Sequence, residues 1–515
     1  MRTERVVIVG AGAAGLASAF ALAARGLDVT VLERAATPGG KIRQIEVGSS
    51  LIDSGPTVFT MRWVFDELFA DAGETFDDHV RLQPLDILAR HAWNENDRLD
   101  LFSDQDRSED AIGTFAGKAA AAGYRKFSRD SRRIYELLEE PFLRAASPSM
   151  GALMASNGLR GLIELPRIKP FTSMWKALGE YFPDPRLRQL FGRYATYCGS
   201  SPFDATATLM LVAHVEREGV WTVNGGMHAL ATALANCATR RGAKIRYGTD
   251  VREIVTTSSG VSAVVLKSGE RIEADAVIMN CDVSAIATGL FGSNISHVAP
   301  AISHRARSLS AMTWSIIAKT DGFPLSRHSV FFSRDYPAEF DDIFKRNAVP
   351  DEPTVYVCAQ DRTENDEASA KERLLVLVNA PPVGDRRAFS ADEIERCRER
   401  AFNTLTRCGL KVHADAEATR VTTPTDFNAL FPASGGALYG RSSHGWTASF
   451  QRPGVTTKIP GLYLAGGSVH PGPGVPMAVL SGRAAASRLM RDLTSRRRNR
   501  MTISAKPKSS TGSAA

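Results

Sequence analysis

The sequence holds no CxxC pair, and its six cysteines (Cys198, Cys237, Cys281, Cys358, Cys397 and Cys408) are never closer than 11 residues. That spacing excludes a zinc ribbon and a thioredoxin-like redox motif. No Ser/His/Asp constellation or cluster of metal ligands is visible, which argues against triad hydrolases, and no metal site is expected. No uninterrupted apolar run of about 18 residues occurs, so a membrane span is not expected. The opening "MRTERVVIVG" enters a strand without a secretory leader, so a cytosolic chain with reduced cysteines is expected. Charge of one sign is also scarce. Lys and Arg number 63 and Asp and Glu 56, a net +7, and Arg496, Arg497, Arg498, Arg500, Lys506 and Lys508 alone supply +6. The body is nearly neutral, so a nucleic-acid face is excluded. The end of the chain, 493–515, is expected to be a disordered basic tail. It serves either to solubilise the chain or to draw it weakly to an anionic membrane surface.

What is present belongs to a globular protein: 515 residues, 43% apolar and 23% charged, enough for two or three domains. The clearest chemistry lies in "RVVIVGAGAAGLASAFALAARGLDVTVLE". Val6 to Val9 are a β-branched run suited to a strand buried on both faces. Gly10, Gly12 and Gly15 follow as G-x-G-x-x-G with Ala14 inside the turn, and an Ala-rich helix closes at Gly26. Gly10 allows the tight turn, Gly12 lets a pyrophosphate reach the backbone, and Gly15 lets the helix pack on the strand. The helix N-terminus offers free N–H groups and a positive dipole end to that anion. A second strand ends in Glu33, placed to accept hydrogen bonds from ribose hydroxyls and to repel a 2′-phosphate. Gly39, Gly40 and Lys41 then come where a nicotinamide-binding unit normally begins its next helix. A second glycine pair there, with Asp53, Ser54, Gly55 and Pro56 beyond, suits a longer cofactor lying extended.

Residues 63–214 show helical spacing and little β pattern. Within them, "SMGALMASNGLRGLIELPRIKPFTSMWKALGEYF" mixes apolar residues with Arg160, Arg167, Lys169 and Lys176. That mixture fits a lid or monotopic membrane contact, and equally an ordinary helical subdomain. "EGVWTVNGGMHALATALANCATRRGAKIRYGTDVREIV" returns to the first style, with a helix from about Met227 to Thr239. From about Ile295 to Phe450 strands dominate: "TWSIIAKTDG", "TVYVCAQDRT" and "RLLVLVNAPPV" read as neighbours flooring a pocket. "ADEIERCRERAFNTLTRCGL" reads as an amphipathic helix.

Near the end, "GLYLAGGSVHPGPGVPMAVLSGRAAA" is a strand, a Gly/Pro turn and a helix. Gly466 and Gly467 leave room for a ligand beside the backbone. Gly474, Val475 and Pro476 start a helix whose positive end can stabilise developing negative charge. His470 is either a catalytic base or a turn histidine fixed by hydrogen bonds, and the second reading is preferred.

The spacing from Glu33 to Gly39-Gly40-Lys41 and on to Asp53 resembles the FAD-containing amine oxidase and carotenoid desaturase superfamily. "SVHPGPGVP", with Ser468 where amine oxidases usually carry an acid, and "GSSPFDATATLMLVAHVEREGVWTVNGGMHAL" are similar to the bacterial phytoene-desaturase type. "FFSRDYPAEFDDIF" and "TPTDFNALFPASGGALYGRSSHG" look most like the hydroxycarotenoid 3,4-desaturases, also called methoxyneurosporene dehydrogenases. The resemblance implies an α/β fold with a discontinuous Rossmann-like FAD domain, 1–62 with 215–290 and 451–492. It further implies a helical lid at 63–214 and an α+β substrate domain at 291–450. It adds Arg34 beside Glu33, and Val251 against the adenine, to the cofactor contacts. The implied reaction removes two hydrogens across C3–C4 of an acyclic hydroxy- or methoxy-carotenoid, a hydride passing to flavin N5. Positioning and cofactor chemistry carry such a step, and no catalytic base is assigned. The substrate would come from lipid, making a cytoplasmic, peripheral membrane protein. Quinone or dioxygen would accept electrons, and a homo-oligomer is left open. A phytoene or neurosporene desaturase, an amine oxidase and a non-catalytic flavin-bound carotenoid carrier remain alternatives.

Overall fold

The computed structural model describes residues 3–147, 149, 151, 168–362 and 371–504. Five parallel strands form one sheet in the order Leu462–Leu464, Ala276–Met279, Arg5–Val9, Asp28–Leu32, Lys244–Arg246. Val6 to Ile8 occupy its middle and are at most 1% exposed, because helices and an antiparallel meander pack on the sheet in one shared core. The helix Ala13–Ala23 is buried at every residue. It packs against Met227–Arg240 and against the long C-terminal helix Val475–Ser504. Small residues set that second contact: a Cβ on Gly482 would lie 2.2 Å from the Ala14 carbonyl oxygen. Ser18 Oγ there donates to the Gly482 carbonyl at 2.9 Å. The two ends of the chain thereby complete one domain. An antiparallel meander, Val251–Thr257, Gly260–Leu266 and Arg271–Glu273, bridges two of its strands.

The second sheet has eight strands. Seven run Lys411–His413, Ser310–Asp321, Glu372–Ala380, Val355–Ala359, His328–Phe331, Ile87–Ala92, Arg98–Phe102, and Thr419–Thr422 also pairs with Ser310–Asp321. The run "LLVLV", Leu374 to Val378, is apolar throughout because both faces are covered. Leu374, Val376 and Val378 pack with Cys397, Ala401 and Leu405 of the helix Ala391–Arg407, while Leu375, Leu377 and Asn379 line a cavity on the other face. Ser390 and Glu393 cap that helix reciprocally.

Two expectations need correction. The 63–214 region is not a purely helical lid, since its hairpin Ile87–Ala92/Arg98–Phe102 joins the second sheet through a parallel pairing with His328–Phe331. That hairpin's pairing partner lies more than 200 residues further along the chain, which no local pattern reveals. The C-terminal end is not disordered from residue 493 on, because the helix packed on the first domain continues to Ser504. Once nucleated by packing, a helix adds one hydrogen bond per residue, and Arg is a good helix former. Arg160 and Arg167 lie outside the described residues. Lys169 is paired with Glu180, and Lys176 stands in the short helix Met174–Leu178.

Candidate active site

The glycine turn after the first strand is tight enough to exclude side chains. A Cβ on Gly15 would lie 2.1 Å from the Gly10 carbonyl oxygen, and one on Gly12 2.9 Å from Asn280 Oδ1. Asn280 Oδ1 also accepts from the Gly15 N–H at 2.9 Å. The second glycine pair folds onto the first, with the Gly39 N–H donating to the Ala11 carbonyl at 2.8 Å. A Cβ on Gly40 would sit 3.3 Å from Gly12 Cα. Gly10, Gly12, Ala14, Gly15, Gly39 and Gly40 are thus brought together at the N-terminus of Ala13–Ala23. Glu33 is 9% exposed, and its two oxygens accept from the N–H groups of Ala11 (2.6 Å) and Ala35 (2.7 Å). Each oxygen retains a lone pair, so Glu33 both shapes the turn and can still receive a hydroxyl.

Arg34 and Lys41 turn toward the neighbouring region. Arg34 donates to the carbonyls of Ala429 (3.1 Å) and Leu430 (2.5 Å). Lys41 Nζ donates to the Leu438 carbonyl at 2.6 Å, and burial holds its pKa below the usual lysine value. Val251 is buried at the start of the meander, two residues after Thr249, whose N–H donates to the Glu33 carbonyl at 2.8 Å. Gly55 approaches Lys41 so closely that a Cβ would lie 1.9 Å from its carbonyl oxygen. Asp53 caps the helix Met227–Arg240 through the Met227 N–H at 2.6 Å.

At the other end of the chain the Gly/Pro turn meets the same place. Gly466 accepts Asn280 as a neighbour, and a Cβ there would lie 2.9 Å from Asn280 Nδ2. The Gly467 carbonyl accepts from Arg452 Nη1 at 3.2 Å. Arg452 has no carboxylate partner within ion-pair reach among the described residues; its guanidinium also bonds the Tyr439 and Arg441 carbonyls. Burial lowers its pKa to about 10. Ser468 Oγ accepts from the Val283 N–H at 3.1 Å. The preceding residue, Asp282, caps the helix Val283–Ala287 with one oxygen and keeps Oδ2 buried without a partner. Asp282 therefore brings an acid beside Ser468, a residue the sequence reading missed. His470 is 1% exposed; Nε2 donates to the Phe142 carbonyl at 2.7 Å and Nδ1 has no partner. Burial pushes its pKa down to about 4, so it is neutral and fixed. It is the turn histidine of the preferred reading.

A cavity of about 920 Å³ joins these parts. Gly55, Pro56, Gly474, Val475 and Pro476 form one wall, and Leu375, Leu377, Leu209 and Leu211 supply apolar surface. At another part of its lining stand Phe171 and Trp446, 78% and 47% exposed, with ring centroids 5.3 Å apart. Several of its polar groups are networked. Glu216 accepts from Tyr194 Oη (2.7 Å) and Tyr197 Oη (3.0 Å), Tyr197 accepts from Arg193 (2.8 Å), and Tyr356 Oη contacts Thr57 Oγ1 (2.6 Å) and His328 Nδ1 (2.7 Å). Away from the cavity, Glu74, His79 and Cys237 converge. Arg240 Nη2 lies 3.0 Å from both His79 Nδ1 and Cys237 Sγ, and Arg241 binds Glu74 at 2.7 Å. Two guanidinium groups thus occupy the place a cation would need.

The model of flavin-containing amine oxidoreductases matches residues 13–490. The chain belongs to that family. It is 53% identical to hydroxyneurosporene desaturase of Rubrivivax gelatinosus over 98% of this chain and 96% of that one. Identity to hydroxyneurosporene desaturase of Cereibacter sphaeroides is 41%, over 96% and 99% of the two chains. Among solved structures, cyclohexylamine oxidase from Brevibacterium oxydans matches with a TM-score of 0.57 at 16% identity, covering 96% of this chain and all of that one, a likeness of fold. FAD is the cofactor of this flavoprotein. The residues fit it: a side-chain-free cradle at a helix N-terminus, an acceptor at Glu33 and the orphaned buried oxygen of Asp282 are what a pyrophosphate and sugar hydroxyls require.

Proposed function

We propose that this flavoprotein desaturates the C3–C4 bond of acyclic hydroxy- or methoxy-carotenoids in carotenoid biosynthesis. The observation that carries it is the cavity, which is lined mainly by apolar side chains and runs along the cofactor wall. Such a lining suits a long hydrocarbon and gives a small charged amine little. FAD, when bound, supplies the two-electron acceptor for the hydrogens removed. Gly10, Gly12, Ala14, Gly15 and Glu33 hold its adenosine and pyrophosphate half, with Gly39, Gly40, Lys41 and Val251 alongside. Gly55, Pro56, Gly466, Gly467, Gly474, Val475 and Pro476 hold the reacting half, and Asp282 takes a hydroxyl of the chain between. Arg34 acts through its neighbours. The protein's own contribution to the reaction is to hold the polyene against that wall and to exclude water. With His470 neutral and fixed, no side chain is assigned as base.

Phe171 and Trp446 mark where the substrate enters from lipid, as aromatic residues at an interface do. None of the helices among the described residues is long and apolar enough to cross a membrane. Peripheral attachment on the cytoplasmic side and a quinone or dioxygen acceptor complete the reading. Purified FAD-loaded protein incubated with 1-hydroxyneurosporene in liposomes and a quinone should shift the carotenoid absorption to the red by one conjugated double bond. A shift with phytoene alone would overturn the substrate assignment. Anaerobic bleaching of the flavin by the carotenoid separates catalysis from mere carriage, since a carrier leaves the flavin oxidised.

A further inference from the structure

Arg193 is the least explained group in the cavity. It follows the helix Pro185–Gly192 and lines the cavity deep in the protein. A guanidinium has five N–H donors, and among the described residues its one hydrogen bond is from Nη1 to Tyr197 Oη at 2.8 Å. No ion pair joins it directly to a carboxylate among the described residues; Glu216 lies one hydrogen bond further, reached through Tyr197. Its guanidinium carbon stands 5.0 Å from the Tyr197 ring centroid and 5.4 Å from that of Tyr356. Glu216 and the tyrosines hold the charge in place, but the remaining N–H donors are left to a largely apolar cavity, where an unsatisfied donor is costly.

The position is informative. Tyr356 Oη meets Thr57 Oγ1 at 2.6 Å, and Thr57 follows Gly55 and Pro56 on the cofactor wall. Arg193 is therefore one side-chain layer from that wall. In the substrate class proposed above, the oxygen on C1 is only a few bonds from the C3–C4 bond to be oxidised. A group that binds this oxygen must stand near the wall, as Arg193 does. A methoxy oxygen can only accept a hydrogen bond and a hydroxyl can accept one, while the rest of the polyene offers no acceptor. Most charged groups in the lining are engaged: Glu216 by Tyr194 and Tyr197, Glu339 by Thr354, Lys169 by Glu180, and Arg452 by the Tyr439, Arg441 and Gly467 carbonyls. Tyr356 Oη already meets Thr57 and His328, and Tyr336 Oη, which is also left without a partner among the described residues, carries no charge.

We infer that Arg193 is the specificity-determining residue that donates to the C1 oxygen of the carotenoid and so sets C3–C4 against the flavin. This rests on the desaturase reading above. A carotenoid without the oxygen leaves the guanidinium desolvated and unsatisfied, which is how a polar subsite rejects an apolar analogue.

The test compares 1-hydroxyneurosporene with neurosporene in wild type, Arg193→Met and Arg193→Lys, reading carotenoid affinity from quenching of flavin emission and kcat/KM from absorption. In Arg193→Met the hydroxyl preference should fall by about 10- to 100-fold, the loss expected for one charge-assisted hydrogen bond, while FAD content stays at wild type. Arg193→Lys should recover part of the preference. A merely structural clamp between two tyrosines predicts otherwise: both carotenoids weaken together with an unchanged ratio, and that result overturns the inference. If Arg193→Met does not retain FAD, the same ratio is read in Arg193→Gln, which keeps a donor and should lose less. A wild type that converts 1-hydroxyneurosporene, with a ratio that survives Arg193→Met, refutes this role alone. A wild type inert toward the hydroxylated carotenoid refutes the desaturase reading and this role with it.

Discussion

The cofactor cradle and the cavity beside it are built by opposite means. The cradle works by absence: Gly10, Gly12, Gly15, Gly39, Gly40 and Gly55 leave backbone bare, and a Cβ at Gly15 or Gly55 would strike a carbonyl at 2.1 or 1.9 Å. The cavity works by presence, through side chains that arrive from distant segments. Arg193, Glu216, Thr57 and Tyr356, with His328 behind Tyr356, belong to its polar part and come from segments more than 250 residues apart. A site made by removing side chains tolerates no substitution. One made by adding them can be retuned residue by residue, which is how a single fold comes to serve different substrates.

The sharpest way to break this contrast is Gly15→Ala. The methyl group has nowhere to go, so FAD loading should be abolished and stability should drop by about 3 kcal/mol or more. Equilibrium dialysis with FAD and a thermal melt measure both, and normal loading would show that the cradle is not rigid. Acid should act next, and on the cavity side. Burial pushes His91 and His328 of the second sheet down to about 3. An unfolded histidine titrates near 6.5, so between about pH 6.5 and 3 the unfolded state binds more protons than the folded one. Stability therefore rises with pH across that window and falls on acidification, each histidine contributing up to about 1.4 kcal/mol per pH unit. Melting curves from pH 7 to 4.5 should show it, and His328→Gln should flatten the slope. A smaller effect is expected of Asp53→Ala. It removes the cap on Met227–Arg240 and should cost about 1–2 kcal/mol with the cavity otherwise intact.

The same contrast explains what could be read from the sequence. The glycines were legible because geometry demands them and so leaves a spaced signature; that Gly39 and Gly40 fold onto Ala11 and Gly12 is what the structure adds. The strands of the second sheet were legible where they are apolar and β-branched runs, as in Ser310–Asp321, Val355–Ala359 and Glu372–Ala380. The hairpin Ile87–Ala92/Arg98–Phe102 was not, because its pairing partner lies more than 200 residues away. Asp282 was missed since an Asp opening a short helix looks like an ordinary cap, and nothing local reveals that its second oxygen is left bare. Arg193 left a faint mark, one cation inside the aromatic run "FGRYATY", but only the fold shows what surrounds it.

His470 tests the boundary between the two regions, because it sits in the glycine-rich turn yet is the kind of residue a cavity would use for chemistry. The structure gives it no such task. Nε2 donates to the Phe142 carbonyl at 2.7 Å, its ring stands edge-on to Phe142 with centroids 4.7 Å apart, and burial lowers its pKa to about 4. A general base that is lost typically costs about 10²- to 10⁴-fold in rate. His470→Gln retains an N–H that can reach the same carbonyl, so kcat should stay within about tenfold of wild type. The pH–rate profile between 5 and 8 should also keep its shape, because a histidine titrating near 4 is neutral throughout. A loss of 10²-fold or more with the melting temperature unchanged would move His470 into the chemistry and make the turn part of the cavity's machinery. The expected result leaves the turn as scaffold, and substrate choice with side chains such as Arg193.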